Sequence, residues 1–222
     1  MSAGAEWLIA AGTLVLAAVA IFQDTVRGWF YHPTLEASIQ TKPPDCVAVP
    51  VTTLDGTKIA DSVYLRLWVK NTGKATAKNA EVYASELLQR RTDGTWDRVD
   101  EFPPMNLKWS NVGLIYFPFI AAGMGKHCDI GHIVDPACRS HPGLREENPR
   151  LKLTNEQASL AFDVIAAPNH KGHIIARGDY RLKILIAAEN AHPIEKTLSI
   201  SVRGWDADEM RMLRDGVGIS IM

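Results

Sequence analysis

The sequence is short of the features that commit a chain to a known chemistry. It has three cysteines in 222 residues, an odd number that excludes a full disulfide framework. At most one bridge can form among Cys46, Cys128 and Cys138, and their spacing matches no secreted scaffold. No Asn-x-Ser/Thr sequon is present, so nothing marks a glycosylated ectodomain. There is no Gly-x-Ser-x-Gly elbow, no Walker A loop and no Gly-x-Gly-x-x-Gly turn. Gly123-Met124-Gly125-Lys126 lacks the framing of a phosphate cradle. Charge of either sign is not in surplus: the formal net charge of -1 supplies no global attraction to nucleic acid, and no nucleic-acid partner is expected. Lysine and arginine are absent before Arg27.

What is present begins with a hydrophobic run. Trp7 to Phe22 is uninterrupted by charge, the nearest charges being Glu6 and Asp24. A spanning helix typically takes about 20 residues, within a range of roughly 17–25. The run is slightly short, but Trp7 at one end and Trp29, Phe30 and Tyr31 past the other are the aromatics that extend a span into the headgroup layer. Residues 1–31 therefore read as a membrane anchor and neck. Two alternatives stay open. Ala18-Val19-Ala20 has the small-x-small form of a signal-peptidase site, although no positive segment precedes the run. A buried core helix has an overlapping length. Arg27 and Lys42 follow the run and no cation precedes it, so the positive-inside rule puts the rest of the chain in the cytoplasm. Reduced cysteines fit that compartment.

After His32-Pro33 breaks the helix, the hydrophobic period changes to two. Val63, Leu65, Leu67 and Val69 alternate with Tyr64, Arg66, Trp68 and Lys70, as a half-buried strand requires. Asn71 to Gly73 form a turn. The same alternation appears in Leu35–Ile39, Ala80–Ala84, Trp96–Asp100, Leu160–Val164, Tyr180–Ile186 and Leu198–Val202. Asp93-Gly94 marks a hairpin. Pro118 makes Ile115–Ile120 an edge strand or a loop, and Ile130 and Ile133 hint at one more strand. Residues 50–62 read as a polar stretch with an Asp55-Gly56 turn, and 135–157 as a long irregular insertion. Asp206-Ala207-Asp208-Glu209 opens a short C-terminal helix, with Met210, Met212 and Leu213 as its apolar positions and Gly216 as its stop. Val217–Ile221 is a terminal strand or a sticky tail. The predicted fold is mainly β: an N-terminal transmembrane helix, an immunoglobulin-like antiparallel β-sandwich over 32–205, and a short helix and tail over 206–222.

The stretch Leu65-Arg66-Leu67-Trp68-Val69-Lys70-Asn71-Thr72-Gly73-Lys74-Ala75-Thr76-Ala77-Lys78-Asn79 resembles the hydrophobic strand and N-x-G-x-x-x-A signature of bacterial immunoglobulin-like domains of the CARDB type. Pro43-Pro44-Asp45-Cys46, Leu107-Lys108-Trp109-Ser110, Cys128-Asp129-Ile130-Gly131-His132-Ile133, Gly178-Asp179-Tyr180-Arg181-Leu182, Ala188-Glu189-Asn190-Ala191 and Gly204-Trp205-Asp206 are similar to stretches of uncharacterised, membrane-anchored bacterial proteins. The resemblance spans roughly residues 33–217. It implies a fold, a tether and a bacterial inner membrane, and no catalytic residue. CARDB-type domains are usually extracytoplasmic, so a periplasmic β domain stands as the alternative to a cytoplasmic one.

Two sets of residues are candidates for function. Cys128-x3-His132 and Cys138-x2-His141, with His127 beside them, have spacings that can chelate zinc locally through thiolate and imidazole. The bland alternative is a loop in which Cys128 and His132 pack on the sandwich. His170 and His173 read as a solvated hairpin tip. The second set is aromatic: Trp68, Trp96 and Trp109, with Arg66, would form an exposed partner surface on a sheet face, or else pack under the 135–157 insertion. Arg66, Trp68 and Lys70 with Arg90-Arg91 also have the composition of an oligonucleotide platform, but on an alternating strand they are more simply the solvent face.

The expected function is a non-catalytic, membrane-tethered interaction or scaffold module, anchored through Trp7–Phe22 and carrying a protein partner. The alternative is a membrane-associated effector sensing a ligand or metal through the 123–173 loops. A hydrolase ranks below both because no nucleophile motif is present.

Overall fold

The computed structural model describes residues 3–144 and 147–222. The side chains of residues 24–29 are outside that description, and the roles expected of Arg27 and Trp29 lie there with them.

The first element is a helix, α1 (Ala3–Phe30). Within it Gly4–Gln23 is 20 residues long, has a mean hydropathy of 2.0 and is nowhere buried against the rest of the chain. At about 1.5 Å per residue this window spans about 30 Å, the thickness of a bilayer's hydrocarbon core. Among the described residues it is the one helix long and apolar enough to cross a membrane.

The strands that follow are β1 (Leu35–Ser38), β2 (Cys46–Thr52), β3 (Lys58–Asn71), β4 (Ala77–Arg90), β5 (Trp96–Arg98), β6 (Met105–Asn106), β7 (Lys108–Trp109), β8 (Tyr116–Ile120), β9 (Gly125–Val134), β10 (Leu160–Phe162), β11 (Ile174–Ile175), β12 (Gly178–Ala188), β13 (Ala191–Val202) and β14 (Val217–Ile221). They form two antiparallel sheets. The first runs β1-β3-β9-β10-β11, with β2 sharing the free side of β3 and β7 pairing with β9. The second runs β14-β13-β12-β4-β5, with β6 and β8 also on β4. The core lies between the sheets. Val63, Leu65, Leu67 and Val69 of β3 face Val82, Ala84 and Leu87 of β4 and Leu182, Ile184 and Ile186 of β12 across a common cluster. Burying each large aliphatic side chain there contributes about 1.5–3 kcal/mol.

Two bulges redirect the alternation. On β4 the inward set Ala80, Val82, Ala84 resumes at Leu87, because the pairing with β12 shifts by one residue between Ala84 and Glu86. On β9 the pairing with β3 jumps from Gly131 to Asp129, leaving Ile130 as the extra residue. An extra residue reverses which face the next side chains take.

The structure departs from the sequence reading in several places. β2 and β11 were not expected, and β3 begins at Lys58 rather than Val63. The C-terminal helix is a single turn, α2 (Glu209–Arg211), capped by Asp208 rather than Asp206 and continued by a π turn to Gly216. Met210 is exposed, and Met212, with Leu213 packed beside it, anchors that segment in the core. The tail is sheet: β14 pairs with β13 over its full length.

Two sets of contacts join distant segments. At one end, the buried Asn71 is a hub. Its side-chain oxygen accepts from the backbone N–H of Thr34 at 3.2 Å, and its amide donates to Ala75 and Ile120 carbonyls at 2.7 and 2.9 Å. Its backbone N–H donates to the Met124 carbonyl. Gly73 lies so close to the 32–34 backbone that a Cβ would sit 2.4 Å from His32 O. Along the side, the Thr41 hydroxyl exchanges two 2.9 Å hydrogen bonds with the Ile219 backbone, and Glu209 accepts from the Ala48 N–H at 2.8 Å.

Candidate functional site

β3 and β9 build the site together. The residues of β3 that point away from the core are Tyr64, Arg66 and Trp68, and their cross-strand partners on β9 are His132, Asp129 and His127. Cross-strand neighbours sit about 4.5–5.5 Å apart at Cβ, so these six side chains form three adjoining pairs across the outer face of the first sheet.

The first pair is Trp68 with His127, ring centroids 4.7 Å apart and tilted by 60°. Asp45, in the loop before β2, reaches His127 Nε2 at 3.0 Å and takes a hydrogen bond from the Gln40 N–H with its other oxygen. These residues line a cleft of about 370 Å³ with Lys42, Pro43 and Pro44. The middle pair is Arg66 with Asp129. Arg66 donates to the Pro44 carbonyl at 2.6 Å, and its Nε is buried without a partner. Asp129 accepts from the Ser110 hydroxyl. Burial raises the Asp129 carboxyl above its usual range and Asp163 adds to this, against the lowering effects of Ser110, Arg66 and His132. The third pair is Tyr64 stacked on His132, centroids 4.8 Å apart and 19° from parallel. His132 Nδ1 lies 3.0 Å from Asp163.

Beside Asp163 sits His173. It is buried, its Nδ1 has no hydrogen-bond partner, and burial, with Lys171 and Lys108 nearby, brings its pKa down to about 4. The expected solvated tip therefore holds for His170, which is exposed, and fails for His173. The chain turns inward at Lys171, and Ile174 and Ile175 continue into the core edge as β11.

The structure separates the four zinc candidates. Cys128 is fully buried between the sheets, and burial holds its thiol well above the ordinary range. In a regular strand a spacing of four puts residues on one face; the bulge at Ile130 sends His132 to the outer face instead. Cys138 and His141 belong to the turn after β9, joined by a backbone hydrogen bond. Among the described residues no three His, Cys, Asp or Glu side chains come together as a metal site.

The aromatic set is corrected as well. Trp109 is not a surface residue. It is completely buried and donates its indole N–H to the Ala80 carbonyl at 3.0 Å. A two-residue strand such as β7 has no period to read, which is why its direction was not legible. Trp96 lies on the other sheet, its ring covered by the Arg181 guanidinium at 4.0 Å. Of the expected surface, Trp68 and Arg66 remain as one face. Asp45, Ser110, Asp129 and Asp163 were missed as members of the site. His127 and Asp129 flank the inward Cys128 at strand spacing, a signal available in the sequence. Asp45 and Asp163 arrive from loops and had none.

No family model and no curated protein matches this chain.

Proposed function

We propose that this chain is a single-pass, membrane-tethered β-sandwich that acts without catalysis, as an interaction or scaffold module, and that its partner-binding face is the outer surface of the first sheet around Trp68. The observation that carries the reading is the contrast between the two hydrophobic parts. The window Gly4–Gln23 buries nothing against the chain, while among the described residues the core cluster starts at Leu35. A helix that apolar is stable in a lipid environment, and residues 1–6 carry no lysine or arginine. The cleft beside Trp68 adds a half-buried indole, two prolines and a His–Asp pair. Interface centres are enriched in such rigid aromatic anchors.

The resemblance to CARDB-type immunoglobulin-like domains belongs to the same proposal. It is supported by β3 running into the Asn71–Gly73 turn. The membrane is read as a bacterial inner membrane, with the β domain cytoplasmic on the strength of Arg27 and Lys42.

Three measurements test this. The full chain should stay with membranes through high-salt and alkaline washes, and residues 32–222 should be soluble with a cooperative melt. Loss of the melt would mean that α1 belongs to the core. Leu54→Cys, fully exposed at the far hairpin tip, should react with an impermeant maleimide only after spheroplasts are lysed; reaction before lysis reverses the topology. Trp68→Ala should remove a cross-linked partner while the domain keeps its cooperative melt, and Trp96→Ala should leave the partner bound. Equal effects of the two would move the binding face elsewhere.

A further inference from the structure

We infer that the end of the sandwich joined to α1 is itself a membrane-contact surface, in which Phe119 and Met124 enter the headgroup layer and Lys70, Lys74 and Lys78 bind anionic lipid phosphates. The inference rests on α1 spanning the membrane, and it adds a second, peripheral contact to that span.

The placement follows from the chain. The apolar window stops at Gln23 and the helix continues to Phe30, about 10 Å at 1.5 Å per residue. That is close to the depth of one headgroup layer, the bilayer being about 40–45 Å thick around a core of about 30 Å. Only four residues, Tyr31 to Thr34, separate α1 from β1. An extended chain covers at most about 3.6 Å per residue, so whatever angle the domain takes to α1, this end stays within about 20 Å of where the helix leaves the lipid. The Asn71 hub then sets which residues occupy it. Asn71 binds Thr34, the Ile120 carbonyl at the end of β8, and the Met124 carbonyl in the turn before β9.

Two large apolar side chains are exposed at that end. Phe119 is 65% and Met124 62% exposed. Phe119 sits opposite Lys78 in the pairing of β8 with β4. Lys70, Lys74 and Lys78 are all exposed. Two acids share this end, and each is engaged: Glu36 accepts from the Thr72 hydroxyl and Glu189 from the Asn79 amide. Apolar side chains rimmed by lysine are the composition of an interfacial membrane contact. The opposite end supplies a built-in comparison. Leu54 is more exposed still, but it lies past the start of β3, about 45 Å from Asn71 at about 3.3 Å per residue.

The test uses the full chain in nanodiscs of phosphatidylcholine and phosphatidylglycerol, with p-benzoylphenylalanine placed singly at positions 15, 54, 119 or 124. Lipid adducts are counted by mass spectrometry. Position 15 reports the span. Positions 119 and 124 should give adducts at least tenfold above position 54. Lys74→Glu with Lys78→Glu should cut the adduct at 119 at least threefold and leave position 15 unchanged. Adducts at 15 with only the position-54 level at 119 and 124 would overturn the inference while the span stands. No adduct at 15 would remove the span and this inference with it. Cross-links from 119 or 124 to a second copy of the chain, in place of lipid, would also overturn it.

Discussion

The two outer faces of the sandwich carry charge in different ways. In the middle of the first sheet, where β3 pairs with β9, the groups are nearly out of water: the side chains of His132 and Asp163 are 12% and 10% exposed, while Lys58 and Asp61 at the far end of β3 pair in the open. On the second sheet they are in it: Lys183 and Glu86 pair with the lysine half exposed, and Arg203 lies 4.0 Å from an exposed Asp179. The cause is what lies over each face. The 42–45 loop and the segment from Asp163 to His173 bring their own polar groups down onto β3 and β9, whereas Arg181 on β12 lies over the Trp96 ring beside an open groove. A charge on the first face is held by specific partners at a desolvation cost, and a charge on the second is held mostly by solvent.

That comparison is anchored by the shared core, where the largest effect is expected. Leu67→Ala should cost about 2–5 kcal/mol in a urea melt, from lost burial and an unfilled cavity. Trp68→Ala, one residue along and facing outward, should cost clearly less. The reverse order would mean the two faces of β3 are exchanged.

On the first face, Asp163→Ala leaves His132 without its 3.0 Å partner and should cost about 1–3 kcal/mol. A cost no greater than that of an exposed pair would show this face to be as wet as the second.

The pH dependence sharpens the same point. His173 is neutral in the fold down to about 4, while in the unfolded chain it takes up its proton near 6.5. Between these values the unfolded state binds more protons, so stability is present above about 6.5 and falls as the pH drops toward 4. At 1.36 kcal/mol per unit of pKa the loss is about 1–3 kcal/mol. Asp129, whose carboxyl is raised, works the other way, since the folded state there holds the extra proton. His173→Gln should flatten the decline measured by melts from pH 7 to pH 4. An unchanged slope would assign the decline to other groups.

The smallest effect belongs to the second face. Arg181→Ala removes a guanidinium from the Trp96 ring and should cost about 0.5–1 kcal/mol, with no change in the acid limb.

The fold was legible wherever a strand was long and had one wet face. β3, β12 and β13 show their period of two over seven or more residues, and their inward residues are the buried ones. β2 was not legible because its pattern is blurred: Pro50 interrupts it, and Val47, Val49 and Val51 alternate with Ala48 and Pro50 in place of charged residues. The site was half legible. Trp68, Arg66 and His127 follow from the pleat of two strands, whereas His132 is turned outward by the bulge at Ile130. Their carboxylate partners come from loops, and a loop has no period. The zinc pattern misled because spacing along a strand assumes an unbroken pleat, and one extra residue at Ile130 voids that assumption.

The side latch between Thr41 and Ile219 has a consequence in time. Those residues are 178 positions apart, and until they meet, β14 is not latched to the segment that precedes β2. A contact of that sequence separation raises the mean contact order, and high contact order slows folding. β14 follows β13 and the α2 turn in the chain, so the edge of β13 that it completes stays open until it arrives. Such an edge is a template for wrong pairing.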